Sequence, residues 1–177
     1  MFHILDARLA REPQVDVTST EMTIREMTHR DFDTIVELNQ NALEGVGPLD
    51  NESLSLLVKM ADQALVIDGR DGDIAGFVIT VPPGAEYDSS RYRWFEDKLV
   101  DDYVYLDRIV VSQDHRREGV ASKLYEKIEA ELPIALEVYE TNDVSLAFHE
   151  SRGFAPVGEL EHDGKNNLML VREPDEA

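Results

Sequence analysis

The chain has 177 residues, no cysteine and a formal net charge of −20, from 37 acidic residues against 17 basic ones. Its length fits one domain with a sizeable core, and its charge would repel the phosphate backbone of DNA or RNA. Disulfides, thiolate metal sites and a cysteine acyl-enzyme are excluded, and no apolar run approaches the ~20 residues of a membrane-spanning helix.

Two explanations of the acidity stay open. In the first, the charge serves solubility or reflects an organism with generally acidic proteins. In the second, it recruits a cationic acceptor such as an amine. The first 20 residues carry dispersed charges and no apolar stretch, so we expect a cytoplasmic protein without a signal peptide. The histidines are dispersed without ligand spacing, and no metal site is predicted.

The chain divides into three parts of unequal length. Residues 1–20 are interpreted as an N-terminal extension with a short helix at 4–10, residues 21–173 as the folded domain and residues 174–177 as an acidic tail.

The first half of the domain predicts a strand, two helices and a hairpin, in this order. Alternation over 22–26 favours a strand, and apolar residues three to four positions apart over 32–43 favour a helix. A second helix is predicted at 51–62. Two apolar runs at 64–67 and 74–79 flank the turn sequence Asp-Gly-Arg-Asp-Gly, which predicts a β-hairpin.

The second half is predicted to alternate strands and helices after a loop at 85–101. The predicted elements are a strand at 104–111, a helix with an apolar stripe of Val120, Leu124, Ile128 and Leu132, a strand at 136–139, a helix after Asn142, and strands near 154–160 and 167–171.

The unit at 104–132 carries the clearest chemical signal. Its strand is followed by a short turn and then by Arg116-Arg117-Glu118-Gly119-Val120-Ala121 at the start of a helix. The first N–H groups of a helix have no intrahelical acceptor and carry partial positive charge, so they favour phosphate. Gly119 and Ala121 allow close approach, and Arg116 and Arg117 add charge. This turn is predicted to bind a pyrophosphate.

A second block reads Asn142-x-x-Ser145-x-x-Phe148-His149, followed by Gly153-Phe154. Together the two blocks resemble those of the GNAT superfamily of acyl-CoA-dependent N-acyltransferases. In that superfamily the first block reads Arg/Gln-x-x-Gly-x-Gly/Ala, and the second block reads Asn-x-x-Ala-x-x-Phe-Tyr-x-x-x-Gly-Phe. The Tyr-x-Ser-x-x-Tyr-x-Trp-Phe segment at 87–95 is similar to that of a subgroup of uncharacterised bacterial predicted acetyltransferases. The resemblance covers about residues 22–172.

The resemblance implies an α/β fold of the GNAT type. Its mixed central sheet of about seven strands has flanking helices and a V-shaped split between strands 4 and 5, where the pantetheine arm lies. Acetyl-CoA is the implied cosubstrate, and a primary amine of a small molecule or peptide attacks it directly in a ternary complex. A monomer or homodimer without nucleic-acid or membrane partners is expected. The alternative is a non-catalytic CoA-binding sensor or interaction module of the same fold.

The implied cofactor-binding residues lie on the fourth strand, in the pyrophosphate turn and on the later helix. They are Ile109, Val110, Val111, Arg116, Arg117, Glu118, Gly119, Val120, Ala121, Ser122, Asn142, Ser145 and Phe148. Backbone groups of Ile109, Val110 and Val111 are expected to stabilise the thioester oxygen. Asn142 is expected to cap a helix, to bind the pantetheine, or both.

His149, Asp107 and Glu137 are the candidates for proton transfer. His149 stands where the family usually has tyrosine. Either its imidazolium protonates the departing thiolate, since a pKa of ~6.5 is below the ~8.5 of a thiol, or it lies on a partly exposed helix face and packs near the cofactor. Asp107 and Glu137 each have two possible roles. Either residue could act as a base through water, or it could be a solvated or salt-bridged strand residue, and Arg108 is the ion-pair partner available to Asp107.

The residues predicted to bind the acceptor are Tyr87, Tyr92, Trp94, Phe95 and Glu137. In the resembled fold this segment lies at the acceptor end of the cleft, where aromatic rings bind the apolar or cationic part of an amine. The alternative is that these aromatic residues close the hydrophobic core.

Overall fold

The computed structural model describes residues 21–128 and 131–175. The predicted extension at 1–20, with its helix, and the last two residues of the tail lie outside them. The strands of the described residues are β1 Thr23–Glu26, β2 Gln63–Asp68, β3 Ile74–Val81, β4 Val104–Val111, β5 Ile134–Tyr139, β6 Ala155–His162 and β7 Lys165–Arg172. Their α-helices are α1 Phe32–Gln40, α2 Asn51–Met60, α3 Ser90–Lys98, α4 Val120–Ile128 and α5 Asp143–Ser151. Short 3-10 turns lie at His29–Asp31 and Gln113–His115.

The strands form one mixed sheet in the order β1-β2-β3-β4-β5-β7-β6. Every pairing is antiparallel except that of β4 with β5. These two strands pair only at Val104 with Ile134 and at Tyr105 with Ala135. Beyond those residues β4 pairs with β3 and β5 pairs with β7. The expected sheet and the split between its fourth and fifth strands are confirmed.

A β-bulge in β4 lies where the split opens. Leu106 and Arg108 pair with the consecutive residues Thr80 and Ile79 of β3, so Asp107 is the extra residue of β4. A bulge bends its strand and re-aims its side chains. Here the bend falls at the residues where β4 and β5 part.

Each face of the sheet has its own hydrophobic core. Because consecutive strand residues point to opposite faces, β3 sends Phe77 to one core and Val78 to the other, and both are fully buried. Helices α1, α2 and α3 cover the first core, and α4 and α5 cover the second. Both split strands contribute side chains to both cores, so helices hold them from either side.

Two predictions of secondary structure are wrong. Part of the predicted loop at 85–101 forms helix α3, which Ser89 caps by accepting a hydrogen bond from the backbone N–H of Tyr92. Tyr92 and Phe95 lie three positions apart and both enter the first core, which stabilises the helix. Leu132, expected in the buried stripe of α4, is 40% exposed and does not extend that stripe.

Candidate active site

A cleft of about 790 Å³ opens where β4 and β5 part. One end is lined by the start of α4 and the turn before it. The other end is lined by side chains from α3, β5 and β7. Residues 42 and 44–47, which follow α1, run between the two ends: Oε1 of Glu44 lies 3.9 Å from Nη2 of Arg116, and the Gly47 carbonyl oxygen accepts a hydrogen bond from Arg108. The cleft therefore joins the predicted pyrophosphate turn to a region rich in charged side chains.

Most of the predicted site residues come together along this cleft. Those that line it are Asp107, Ile109, Val110, Val111, Arg116, Arg117, Gly119, Val120, Ala121, Ser122, Glu137, Asn142, Ser145, Phe148 and His149. Those that do not line it are Glu118, Tyr87, Tyr92, Trp94 and Phe95. Arg91, Tyr139 and Asn167 also line the cleft, although the sequence analysis did not single them out.

The turn before α4 has the backbone that a phosphate site needs. Arg117 and Gly119 have φ angles of 66° and 76°, and α4 begins at Val120. A Cβ placed on Gly119 would meet no described atom within 4 Å beyond its chain neighbours, so the space before the helix is open. The N–H groups of the first helical turn and the exposed side chains of Arg116 and Arg117 together suit a pyrophosphate.

The imidazole of His115 ties this turn to the β2–β3 hairpin. Its Nε2 lies 2.8 Å from Asp73 Oδ2, and its Nδ1 lies 2.7 Å from Glu118 Oε2. The hydrogen bond with Asp73, followed by that with Glu118, raises the pKa of His115. The side chain of Glu118 therefore engages His115 rather than the cleft.

Gly76 on β3 allows the start of α4 and strand β4 to lie close to the centre of the sheet. A Cβ at Gly76 would lie 2.7 Å from the carbonyl oxygen of Val110 and 2.9 Å from Cγ1 of Val120. Both of these residues line the cleft. A larger residue at this position would therefore displace the cleft wall, a constraint that no local pattern indicates.

Asn142 caps helix α5, as expected. Its Oδ1 accepts a hydrogen bond from the backbone N–H of Ser145 at 3.2 Å. The amide Nδ2 lies 3.3 Å from the position of a Cβ on Gly45, across the cleft entrance. Contact of Asn142 with a pantetheine stays a prediction.

His149 is only 5% exposed, which corrects the partly exposed position expected in one of its two interpretations. Its Nδ1 lies 2.7 Å from the carbonyl oxygen of Ser145, which can only accept, so Nδ1 carries the proton. Its Nε2 then accepts a hydrogen bond from the Tyr125 hydroxyl at 2.5 Å. Burial, helped by the charge of Arg152, lowers the pKa of His149. The imidazole is therefore neutral at neutral pH, and both of its nitrogens are engaged.

Glu137 on β5 is a buried carboxylate at the other end of the cleft. Its side chain is 9% exposed and accepts hydrogen bonds from the Tyr105 hydroxyl at 2.8 and 3.0 Å. Nε of Arg91 lies 3.8 Å from its Oε1. Burial raises the pKa of Glu137 to about 7, against the opposing effect of Arg91. A carboxylate that titrates near neutral pH suits a general base.

The carboxylate of Asp107, by contrast, accepts hydrogen bonds from two neighbouring side chains. Its Oδ1 accepts from the Tyr87 hydroxyl at 2.5 Å and its Oδ2 from Nε of Arg108 at 2.7 Å. Arg108 also donates to the side chain of Asn39. This network corresponds to the salt-bridged alternative for Asp107, and it leaves Glu137 as the carboxylate better placed to act as a base.

The aromatic side chains at 87–95 close the core. Tyr92 and Phe95 are fully buried in the first core, and Trp94 packs against Gly158 on β6. The ring of Tyr87 lies 5.4 Å from that of Tyr92, centroid to centroid. This packing corresponds to the alternative in which the rings close the core, and none of the four residues lines the cleft. Their contact with an acceptor stays a prediction.

Across residues 21–128 and 131–175, no group of three or more His, Asp or Glu side chains could hold a metal ion. No helix in the same residues has the length and apolar character needed to cross a membrane.

Comparison with known proteins identifies the family. The model of the acetyltransferase (GNAT) family matches residues 25–154, and the chain belongs to this family. A search of curated proteins found no match. The family resemblance expected from the sequence is therefore confirmed.

Solved structures show the same fold. The chain is similar to Ard1 from Thermoplasma volcanium, with 21% identity over 88% of this chain and 99% of that one and a TM-score of 0.68. It is similar to the ribosomal-protein-S18-alanine N-acetyltransferase from Escherichia coli, with 20% identity, 89% and 96% coverage and a TM-score of 0.65. It is also similar to Naa20 of Chaetomium thermophilum in complex with a bisubstrate analogue, with 18% identity, 86% coverage of each chain and a TM-score of 0.68.

Proposed function

We propose that the protein is an acetyl-CoA-dependent N-acetyltransferase that moves an acetyl group to a primary amine by direct attack in a ternary complex. One observation carries this proposal. The β4–β5 cleft joins a turn whose backbone and charge suit a pyrophosphate to a buried carboxylate of pKa about 7. Family membership supports acyl transfer, and the acceptor is a small-molecule or peptide amine.

The residues along the cleft fit acetyl-CoA. The first-turn N–H groups of α4, with Arg116 and Arg117, would hold the pyrophosphate. Asn142 and Ser145 lie on the wall along which the pantetheine would run. When bound, acetyl-CoA supplies an acetyl group activated as a thioester.

Glu137 is the proposed general base. Amines enter mainly as ammonium ions at neutral pH, since their usual pKa values run from about 8 for α-amino groups to about 10 for lysine. Above pH 7 the carboxylate of Glu137 is ionised and accepts the ammonium proton, directly or through water. On β4, the edge that faces β5 has lost its ladder partner beyond Tyr105. Along residues 109–111 the backbone N–H groups alternate between the two edges of the strand, and those on the free edge would stabilise the charge that develops on the thioester oxygen.

His149 is proposed to act as a neutral, structural residue. Its proton on Nδ1 is committed to Ser145, and its Nε2 is occupied by Tyr125. The lowered pKa of the imidazole disfavours the imidazolium that would protonate a thiolate. The thiolate then leaves without an acid from this side chain.

A thiol-release assay over a panel of primary amines and peptides, paired with calorimetric binding of CoA, tests the proposal. We expect turnover of at least one amine. Gly119→Glu should abolish CoA binding, because the new side chain and its charge would occupy the phosphate site. Gly164→Glu is the matched control, since Gly164 also has a positive φ and open space but lies in the β6–β7 turn. CoA binding without turnover of any amine would favour the non-catalytic CoA-binding module.

A further inference from the structure

Arg91 presents a guanidinium to the acceptor end of the cleft with unused donors. Its side chain is 19% exposed, and its 3.8 Å contact with Glu137 is too long for a hydrogen bond. Among the described residues, none accepts a hydrogen bond from its five N–H groups. Arg108, the other guanidinium at this end, donates from Nε to Asp107 and from Nη1 to Asn39 and the Gly47 carbonyl oxygen. Arg91 is thus a cation with free donors at this end of the cleft, where a ligand can reach it.

Asn167 adds an unused acceptor to the same region. The residue is 1% exposed, and its Nδ2 donates to the carbonyl oxygens of Leu160 and Lys165 at 3.2 and 3.4 Å. Its Oδ1 has no hydrogen-bond partner in the part of the chain that the structure describes. A buried, unpartnered oxygen is costly unless something satisfies it. Asn167 pairs with Tyr139 across the β5–β7 ladder, so it is the diagonal neighbour of Glu137 on the same face of the sheet. The Cα atoms of such diagonal neighbours lie about 7–8 Å apart.

The proposed reaction also changes the charge beside Arg91. When Glu137 accepts the ammonium proton it becomes neutral, and Arg91 loses the one carboxylate with which it forms an ion pair among the described residues. Asp107 and Arg108 neutralise each other and supply no replacement. A guanidinium that bound ligands shield from water needs a counter-charge. An anionic group on the acceptor would supply it.

We propose that the acceptor is an amine with a carboxylate a few bonds from its nitrogen, as in a free amino acid, and that Arg91 binds this carboxylate. The inference rests on the proposed function and narrows its acceptor class. A planar guanidinium can bind a carboxylate through two parallel N–H···O hydrogen bonds. Asn167 Oδ1 accepts an N–H from the amine. A peptide N-terminus is the competing class, because its first carboxyl group is an uncharged amide.

The proton and electron balance closes with these groups. The ammonium nitrogen gives its first proton to Glu137, and its freed electron pair forms the amide bond to the acetyl carbon. The C–S bond breaks and its electron pair leaves on sulfur. The second proton lost by the nitrogen converts the thiolate to a thiol.

The test compares kcat/KM for free L-amino acids with kcat/KM for the matching α-amides. The assay is run at about pH 8.5, where Glu137, with a pKa of about 7, is ionised. We expect the acids to be preferred by roughly tenfold or more, the scale of a charge-assisted pair. Arg91→Met should reduce this ratio to about threefold or less, and Arg91→Lys should restore part of it. Arg93→Met on the same helix is the control, because that side chain is 59% exposed and pairs with an exposed Asp88.

Two results would overturn the inference while leaving the proposed function intact. One is a wild-type enzyme that acetylates amides or peptides as well as it acetylates acids. The other is an Arg91→Met variant that shifts the pH profile equally for both classes and keeps the ratio, since Arg91 would then only tune Glu137. Absence of turnover with every amine, despite CoA binding, would contradict the proposed function itself. Calorimetry in the presence of CoA gives a second readout. N-acetyl amino acids should bind more tightly than N-acetyl amino acid amides, and Arg91→Met should remove the difference between the two.

Discussion

Replacing the buried carboxylate of Glu137 by an amide, Glu137→Gln, should remove activity and stabilise the fold at the same time. The carboxylate is 9% exposed and has a pKa of about 7, against an ordinary value of 4.5. Glutamine keeps the shape and the ability to accept from Tyr105, but it is neutral at every pH.

The size of the stability change follows from the pKa difference. Because the folded pKa is raised, the stabilising contribution of Glu137 is fully present below about pH 4.5 and is lost as the pH rises to about 7. A pKa difference of about 2.5 corresponds to about 3 kcal/mol. Glu137→Gln should therefore unfold with up to about 3 kcal/mol more free energy than the parent at about pH 8, or roughly 6–12 °C in Tm. Near pH 4.5 the two proteins should be equally stable.

The assay combines denaturant unfolding at several pH values with the thiol-release rate. The parent kcat/KM should rise with pH through about 7, and Glu137→Gln should lower it by about 10²–10⁴-fold, the scale of a lost general base. Glu126→Gln is the matched control, because Glu126 is exposed on α4 and should change stability by less than about 0.5 kcal/mol.

Two outcomes would refute this reasoning. A Glu137→Gln variant with near-parental kcat/KM would show that another group deprotonates the amine. A stability difference that does not grow between about pH 4.5 and pH 8 would show that Glu137 does not carry the raised pKa on which its role as base depends.

Three further predictions concern the cleft wall and the core. Gly76→Ala should lower Tm and weaken the calorimetric affinity for CoA about tenfold, because the new Cβ would lie 2.7 Å from the Val110 carbonyl oxygen, about 0.7 Å closer than the 3.4 Å at which ordinary contacts begin. Gly158→Ala is its control: the new Cβ would press on Trp94 and should lower Tm without changing the affinity for CoA. Trp94→Ala should lower the free energy of unfolding by about 2–4 kcal/mol in denaturant titrations and leave the KM of the acceptor unchanged. His149→Ala should lower Tm by leaving a cavity, with kcat reduced less than about tenfold.

Each of these three has an outcome that contradicts it. Unchanged CoA affinity in Gly76→Ala would mean that the wall at Val110 and Val120 yields without cost. A selective rise in acceptor KM for Trp94→Ala, at constant Tm, would return that residue to the acceptor site. A hundredfold fall in kcat for His149→Ala at unchanged stability would make His149 the acid.

The pyrophosphate turn is the part of the site that the sequence alone determined most fully. A branched apolar strand, a basic turn with Gly119 and an amphipathic helix are local features, since a positive φ and a helix N-terminus depend on a few adjacent residues. The same holds for the β2–β3 hairpin and for the Asn142 cap, both of which the structure confirms. Helix α3 was predictable by the same reasoning, because Ser89 is a cap residue and Tyr92 and Phe95 have helical spacing.

Only the tertiary structure decided the chemistry at the acceptor end. Arg91 and Glu137 lie 46 positions apart, and they meet because α3 packs on the sheet face that carries Ala135, two residues before Glu137 on β5. The raised pKa of Glu137 arises from burial by neighbours on other elements, which no spacing along the chain encodes. The contact of His115 with Asp73 and the space that Gly76 leaves for Val110 have the same origin. Local patterns report how a segment folds, whereas the energy of a buried charge depends on which distant segments surround it.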